Sequence, residues 1–249
     1  MNESIAMCCN THNDVGALRG LLETSSRFFD NLFVIDSGVN AVPSNDGTVE
    51  LCEQFGATIV FDDIQKGFGV IRSRLIHDCG CTFAFILDSD ERFIPQLPII
   101  HCEGNEHYPE HPKPNLSVFH KRDVCNQGQL LKDIIQDKNI MAVRTTRTHR
   151  FDFDMKKPSQ NWLLNQDHQL RIVRNVPDIG YVSNRKMHEQ LIDSRTGQSP
   201  TYYAQDAYNG PFHDHFHLHF RRTRPGYKEE RERNYQRLEN GEPMLDTIL

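Results

Sequence analysis

Over roughly the first ninety residues, short apolar runs alternate with stretches of helical period, and this alternation restricts the fold more than anything else in the chain. Residues 4–9 form a short, mainly apolar run and read as a buried strand. Asn13 and Asp14 then offer a helix cap ahead of 15–29, where apolar residues recur at helical spacing. Residues 32–35 read as a second strand, stopped by Asp36-Ser37-Gly38, and Asp46-Gly47-Thr48 opens a second helix through Phe55. A third strand over 57–61, a third helix over 67–79 and a fourth strand over 82–87 continue the series. The order β-α-β-α-β-α-β predicts an α/β fold, with a mostly parallel central sheet, flanking helices and right-handed crossovers. Beyond it, the proline- and histidine-rich stretch 95–114 reads as a loop or insertion, 127–138 as a helix, and 140–146 and 169–173 as strands. Residues 221–239 carry seven basic and four acidic side chains and read as a solvated terminal helix.

Length and charge bound the rest. A chain of 249 residues suits a single large α/β domain, and 37% hydrophobic with 25% charged residues is a globular composition. A net charge of -6 counts against a duplex-DNA binder, although a local basic patch over 221–237 keeps a nucleic-acid partner open. No apolar run reaches the roughly 18–20 residues that span a bilayer. Met1-Asn2-Glu3-Ser4 lacks the basic start and apolar stretch of a signal peptide, so a cytoplasmic protein is expected. The seven cysteines are odd in number and form no paired CxxC knuckles, which points to reduced thiols.

Open parallel sheets bind ligands at the carboxyl ends of their strands. Here the first strand delivers Thr11-His12-Asn13-Asp14, the second Asp36-Ser37-Gly38 and then Asp46-Gly47-Thr48, and the fourth Asp88-Ser89-Asp90-Glu91. Three polar, acidic strand ends in consecutive units predict one acidic crevice. Asp88 and Asp90, one residue apart beyond a buried strand, suit a hard cation such as Mg²⁺ or Mn²⁺ that shares its oxygen ligands with substrate phosphates. Such an ion offsets the charge of a leaving diphosphate. An isolated DxD is common and also serves as an acidic turn; its setting is what gives it weight.

In that setting the stretch 4–91 resembles the nucleotide-binding half of family 2 glycosyltransferases, which have the GT-A fold. Thr11-His12-Asn13-Asp14 is similar to the family's first turn. Asp36-Ser37-Gly38 and Asp46-Gly47-Thr48 resemble its second motif, split by an apparent insertion. The segment from Gly67 to Ser73 resembles its G-x-x-x-x-R-N helix, with Arg72 in place and Ser73 replacing Asn, and Leu87-Asp88-Ser89-Asp90-Glu91 is the intact L-D-x-D-E motif. Later, Gln169-Leu170-Arg171-Ile172-Val173-Arg174, Met187-His188-Glu189-Gln190-Leu191 and His217-Leu218-His219-Phe220-Arg221 resemble motifs of the lipopolysaccharide-core-type branch. Residues 92–140 match poorly.

The resemblance implies a single GT-A domain, with a nucleotide-sugar half over 1–92, an acceptor half over 93–220 and a helical tail over 221–249. It implies a nucleoside-diphosphate sugar donor, UDP-linked through Asp36 at the second strand end, and an acceptor that is a glycan, a lipid-linked group or a modified nucleobase. Thr11, Asn13, Asp14 and Asp36 would take the base, Gly67, Arg72, Asp88, Ser89 and Asp90 the rest of the nucleotide, and Asp88 and Asp90 the metal. Glu189 would be the base that deprotonates the acceptor, with His188 as partner or substitute.

His213, His215, His217 and His219 alternate with other residues at strand period and would share one face. His217 is the one whose motif position suggests the metal or diphosphate; a polar strand face is the plain alternative. Arg72, Arg171 and Arg174 read either as phosphate ligands or as salt-bridged surface residues, and Trp162 as a sugar platform or a core residue. Two rivals stand beside this reading: a nucleotidyltransferase, which lacks its glycine-rich basic loop here, and a nucleotide-sugar-binding protein without turnover.

Overall fold

The computed structural model describes residues 3–93, 96–98, 124–138, 140–150, 166–182, 189–200, 204–205 and 212–216, together with 229, 232–233, 236–237, 240 and 242. The first part of the chain forms β1 (Ile5–Thr11), α1 (Val15–Ser25), β2 (Asn31–Asp36), α2 (Thr48–Gln54), β3 (Thr58–Phe61), α3 (Phe68–His77) and β4 (Phe83–Asp88). There follow β5 (Glu91–Phe93), β6 (Gln96–Pro98), β7 (Val124–Asn126), α4 (Gln127–Ile135), β8 (Ala142–Arg150) and β9 (Gln166–Arg174). The last strands are β10 (Ile179–Val182), β11 (Gln190–Asp193), β12 (Ala204–Gln205) and β13 (Phe212–Phe216).

One mixed sheet runs in the order β3-β2-β1-β4-β9-β8-β13-β5, with β12 also beside β8. Strands β1 to β4 are parallel to their neighbours among themselves, as expected from the alternating pattern. β9 then enters antiparallel between β4 and β8, and β13 lies parallel to β8 and antiparallel to β5. The result is an α/β fold whose parallel half is built from the four strands expected, in the order β3-β2-β1-β4 across the sheet.

Alternation along the central strands sorts the core into two layers. Ile5, Met7, Cys9, Val34, Phe85 and Leu87 face α1, α2 and α4, whereas Ala6, Cys8, Phe33, Ile35, Ala84 and Ile86 face α3. Because helices cover both faces, β1 and β4 read as unbroken apolar runs rather than alternating ones. Within the described residues, Cys8, Cys9, Cys52, Cys79 and Cys81 are free thiols, the first four of them buried. No described helix is long and apolar enough to cross a membrane.

Two local expectations need correction. Helix α1 ends at Ser25 rather than at 29, because Phe28 and Phe29 leave the helix to pack edge-on against Phe93, at ring centroid distances of 5.7 and 5.3 Å. Their apolar spacing continued the helical pattern, but an aromatic cluster with Phe85 was the better burial. Within 95–114, Gln96–Pro98 is not loop but a strand paired antiparallel with Val124–Asn126. The strand expected near 213–219 is present over Phe212–Phe216, while His217 and His219 lie outside the described residues, as do Trp162 and His188. In the expected terminal helix, the described positions Glu229, Glu232, Arg233, Gln236 and Arg237 are helical.

Candidate active site

The parallel half brings the ends of β1, β2 and β4 side by side. Thr11 pairs in register with Asp36 and Asn10 with Asp88, so the three polar strand ends meet along one edge of the sheet. Asp14 occupies the N-cap position of α1 without capping it through its side chain. Its carboxylate, nearly buried, instead accepts a hydrogen bond from Ser89 Oγ at 2.7 Å and so joins the first turn to the fourth. The free helix N–H of Val15 is taken by Asp46 Oδ2 at 2.9 Å, and Asp46 Oδ1 also accepts from Thr48 N–H at 3.0 Å at the start of α2. One carboxylate thus serves two helix starts.

Around Asp88 the charges alternate. Asp88 Oδ1 accepts from Arg72 on α3 at 3.0 Å, and Asp88 Oδ2 accepts from Arg171 on β9 at 3.1 Å. The same Arg171 nitrogen donates to Glu91 Oε1 at 2.8 Å, and Glu91 Oε2 accepts the Asp88 backbone N–H at 3.0 Å, closing a ring. Arg72 reaches on with its other terminal nitrogen to Glu189, in direct ion-pair contact. Five side chains from α3, β4, β5, β9 and the approach to β11 therefore form one chain of contacts, Glu91–Arg171–Asp88–Arg72–Glu189. The α3 helix can aim Arg72 there because Gly67 starts it at φ 95°, ψ 150°, a conformation open in practice only to glycine.

Electrostatics follow from burial and pairing. For Asp88, burial pushes the carboxyl up, but Arg171 and Arg72, working against the nearby Glu91, bring it net below the usual carboxylate range. For Arg171, burial pulls the guanidinium down and Glu91 and Asp88 more than offset it, so it stays charged with a raised pKa. Arg171 is 2% exposed, and its Nε and Nη1 have no hydrogen-bond partner among the described residues. Tyr181 on β10 backs the group: its ring lies 5.9 Å from the Arg72 guanidinium and its backbone N–H donates to Ser73 Oγ at 2.8 Å. Ser73, the residue standing for Asn in the resemblance, is thus a tie between α3 and β10.

The Asp36 end is organised differently. Asp36 is wholly buried, and its Oδ1 lies 2.8 Å from His12 Nδ1. Ser44 donates twice, through its N–H to Oδ2 at 2.7 Å and through Oγ–H to Oδ1 at 2.9 Å. Asn13 Nδ2 lies 3.0 Å from His12 Nε2, which fits a histidine whose Nδ1 carries the proton and donates to Asp36. Gly38 makes this packing possible, since a Cβ there would sit 2.1 Å from the Val42 carbonyl oxygen. The fold thus gathers Thr11, Asn13, Asp14 and Asp36 into one group and Arg72, Asp88, Ser89, Asp90 and Glu189 into another, linked by the Asp14–Ser89 bond. Arg174 is not in either: it pairs with Glu3 at 3.0 Å and stacks over Phe83 at 4.4 Å.

Sequence reasoning did not foresee His12 and Ser44 as partners of Asp36, nor Glu91 and Arg171 as the supports of Asp88. Glu91 carried a signal, as the last residue of L-D-x-D-E, and Arg171 another, as a motif residue of the Gln169–Arg174 strand; its place at a register shift of β9 against β8 was not visible in the sequence. Ser44 carried none. For a metal, no group of three or more His, Cys, Asp or Glu side chains among the described residues is arranged to hold an ion. The donor set still suits a hard cation that takes one or two carboxylates and completes its shell from phosphate oxygens, with the partly exposed Asp90, two residues beyond Asp88, as the second carboxylate.

No protein-family model and no curated protein matches the chain. Among solved structures, the glucosyl-3-phosphoglycerate synthase from Mycobacterium tuberculosis, in complex with Mn²⁺, uridine diphosphate and glucosyl-3-phosphoglycerate, aligns at 17% identity and a TM-score of 0.35. That alignment covers 59% of this chain and 44% of the synthase, so the chain spans less than half the length of that protein. S. aureus TarS aligns at 13% identity and a TM-score of 0.42, over 85% of this chain and 35% of TarS. TarS 1-349 gives 12% identity and 0.42, over 85% and 57%. These are overlaps of chain path at low identity, and the assignment of chemistry rests on the residues of this chain.

Proposed function

We propose that this chain is a metal-dependent glycosyltransferase of the GT-A, family 2 type that moves a sugar with inversion from a nucleoside diphosphate to a hydroxyl acceptor. The observation that carries the reading is the Asp88–Arg72–Glu189 contact. It joins the candidate donor carboxylate to the candidate base across a sequence separation of about one hundred residues, which a merely acidic turn at Asp88 would not require.

In this reading the uridine diphosphate moiety lies along the ends of β1, β2 and β4, with Asp36 accepting the imide N–H of the base. Asp88 and Asp90 would hold Mg²⁺ or Mn²⁺, with His217 as a further candidate ligand. The ion, when bound, supplies charge neutralisation for the leaving diphosphate. Arg72 is fixed between two carboxylates and adds a fixed cation beside that leaving group. Glu189 takes the proton from the acceptor oxygen as that oxygen attacks the anomeric carbon, and the Arg72 contact holds its carboxylate in place for this step. His188 is the substitute base. In this reading the donor half spans 1–92 and the acceptor half 93–220; β9, in the central sheet, brings Arg171 to the donor side, and the approach to β11, which pairs with β10 in a separate two-stranded sheet, brings Glu189. The acceptor is a glycan, a lipid-linked group or a modified nucleobase.

Calorimetric titration of UDP, CDP and GDP with and without Mn²⁺, followed by hydrolysis of UDP-sugars, tests the reading. Mn²⁺-dependent binding that favours UDP, with sugar released to water, is the expected result. Binding without hydrolysis or transfer would leave a sugar-nucleotide-binding protein, and no binding would remove the donor assignment.

A further inference from the structure

The segment between β2 and α2 covers the carboxylate that the donor reading assigns to the base. Residues 39–47 contain no buried side chain, yet they close over Asp36, which has no exposed surface at all. The closure is polar. Ser44 supplies two of the donors to Asp36, and Ser44 Oγ also accepts from the Asn13 backbone N–H at 2.8 Å. Asn45 N–H donates to Asn13 Oδ1 at 2.9 Å, and Asn40 N–H donates to Asp63 Oδ1 at 3.1 Å. Val42 is 57% exposed, while Val39 at the start of the segment is partly buried and packs against the core.

The backbone is strained at the same place. Among the described residues, the non-glycine positions with left-handed φ are Asn13 at 46°, Asn40 at 55° and Ala41 at 57°. Asn40 and Ala41 lie in the segment, and Asn13 is the residue that fastens it. Asparagine tolerates this region, whereas alanine pays for its Cβ there. Beyond Val39, a stretch with its valine exposed and an unfavourable alanine is held mainly by exchangeable hydrogen bonds.

We propose that residues 40–45, beyond the anchored Val39, form a strap that competes with the nucleotide base for Asp36, so that donor binding requires the strap to open. The proposal rests on the donor reading above and adds its regulation. The chemistry matches: the Ser44 N–H gives Asp36 Oδ2 the same kind of donor, at 2.7 Å, that the imide N–H of a uracil ring would give. Only one of them can occupy that oxygen on the segment's side, because His12 and Ser44 Oγ already take Oδ1. Apparent donor affinity is then the intrinsic affinity reduced by the fraction of molecules with the strap open.

Two substitutions push that fraction in opposite directions. Ser44→Ala removes the hydroxyl contacts to Asp36 and Asn13 and should tighten UDP binding by about tenfold. Ala41→Gly relieves the left-handed alanine, favours the closed strap and should weaken UDP binding by about fivefold. Hydrogen exchange on the full chain gives an independent readout. With UDP and Mn²⁺ bound, the peptide covering 39–46 should exchange faster while peptides of β1 and β2 exchange more slowly. If UDP binds and the 39–46 peptide is unchanged or more protected, or if the two variants leave affinity unchanged or move it the same way, the strap proposal fails and the donor reading stands. If UDP produces no heat of binding at all, both fail.

Discussion

Replacing Arg171 by Met tests whether the ring around Asp88 is a buried charge network rather than a surface cluster. Arg171 is 2% exposed and Glu91 is wholly buried, so the substitution leaves the Glu91 carboxylate without its cation in the interior. Asp88 suffers less, because it retains Arg72 and its side chain is 38% exposed. Removing one partner of a buried ion pair costs about 3–5 kcal/mol, chiefly through the charge left behind. For a chain of this size each kcal/mol lowers Tm by about 2–4 °C, so the variant should melt roughly 6–20 °C below the parent. The second substitution separates the causes. Glu91→Gln in the Arg171→Met background removes the stranded charge while keeping an acceptor for the Asp88 N–H, and should recover most of the loss. Urea denaturation of the parent, the single variant and the double variant measures both steps. A single variant within about 1 kcal/mol of the parent, where ordinary exposed pairs fall, would refute the reasoning. So would a double variant no more stable than the single one.

Further outcomes follow from the same geometry. Asp90→Ala should abolish Mn²⁺-stimulated UDP binding in calorimetry while leaving the denaturation midpoint near that of the parent. Glu189→Gln should reduce transfer by ~10²–10⁴ with donor affinity nearly kept, as for loss of general-base assistance, and equal loss of both would make Glu189 a donor-site or structural residue. At Asp62, burial pushes the carboxyl up but bonds from Lys66 and Arg74 lower it further, for a net depression. A depressed folded pKa gives stability that is present above the unfolded value and lost as pH falls through the folded one. Asp62→Asn should therefore narrow the stability gap to the parent progressively below about pH 4, the ordinary carboxylate range, as followed by urea midpoints across acidic pH.

What could be read from the sequence was local. The apolar runs of β1, β2 and β4 name themselves, because both faces of each strand are covered, and Asp36 and Asp88 follow directly as strand ends. Asp14 shows the limit of such reading: it has the residue type and position of a cap, but its carboxylate is drawn to Ser89, a contact across 75 residues that no local pattern encodes. Ser44 is harder still, a common loop residue whose value lies in where the loop folds back. Helix α1 was overextended because Phe28 and Phe29 satisfy helical spacing and an aromatic cluster equally well. The pairing of Gln96–Pro98 was hidden by its proline, which reads as a breaker although an edge strand accepts it. Glu189 was reached through family resemblance; its contact with Arg72 was not visible in spacing.

The position of β9 has a consequence for how the chain folds. Strand β4 lies in the middle of the sheet, yet its partner on one side is made some eighty to ninety residues later, with Phe83 opposite Arg174 and Phe85 opposite Ile172. During synthesis the first four strands can assemble locally while the outer edge of β4 stays unpaired. That edge belongs to an apolar strand, Phe-Ala-Phe-Ile-Leu-Asp, without proline and with its one charge at the end. Such an edge invites pairing with another chain until it is covered. Arrival of β9 closes it, buries Arg171 against Glu91 and ties Arg174 back to Glu3. The vulnerable interval for aggregation is therefore the time between emergence of β4 and docking of β9, and slow translation through the intervening segment would lengthen it.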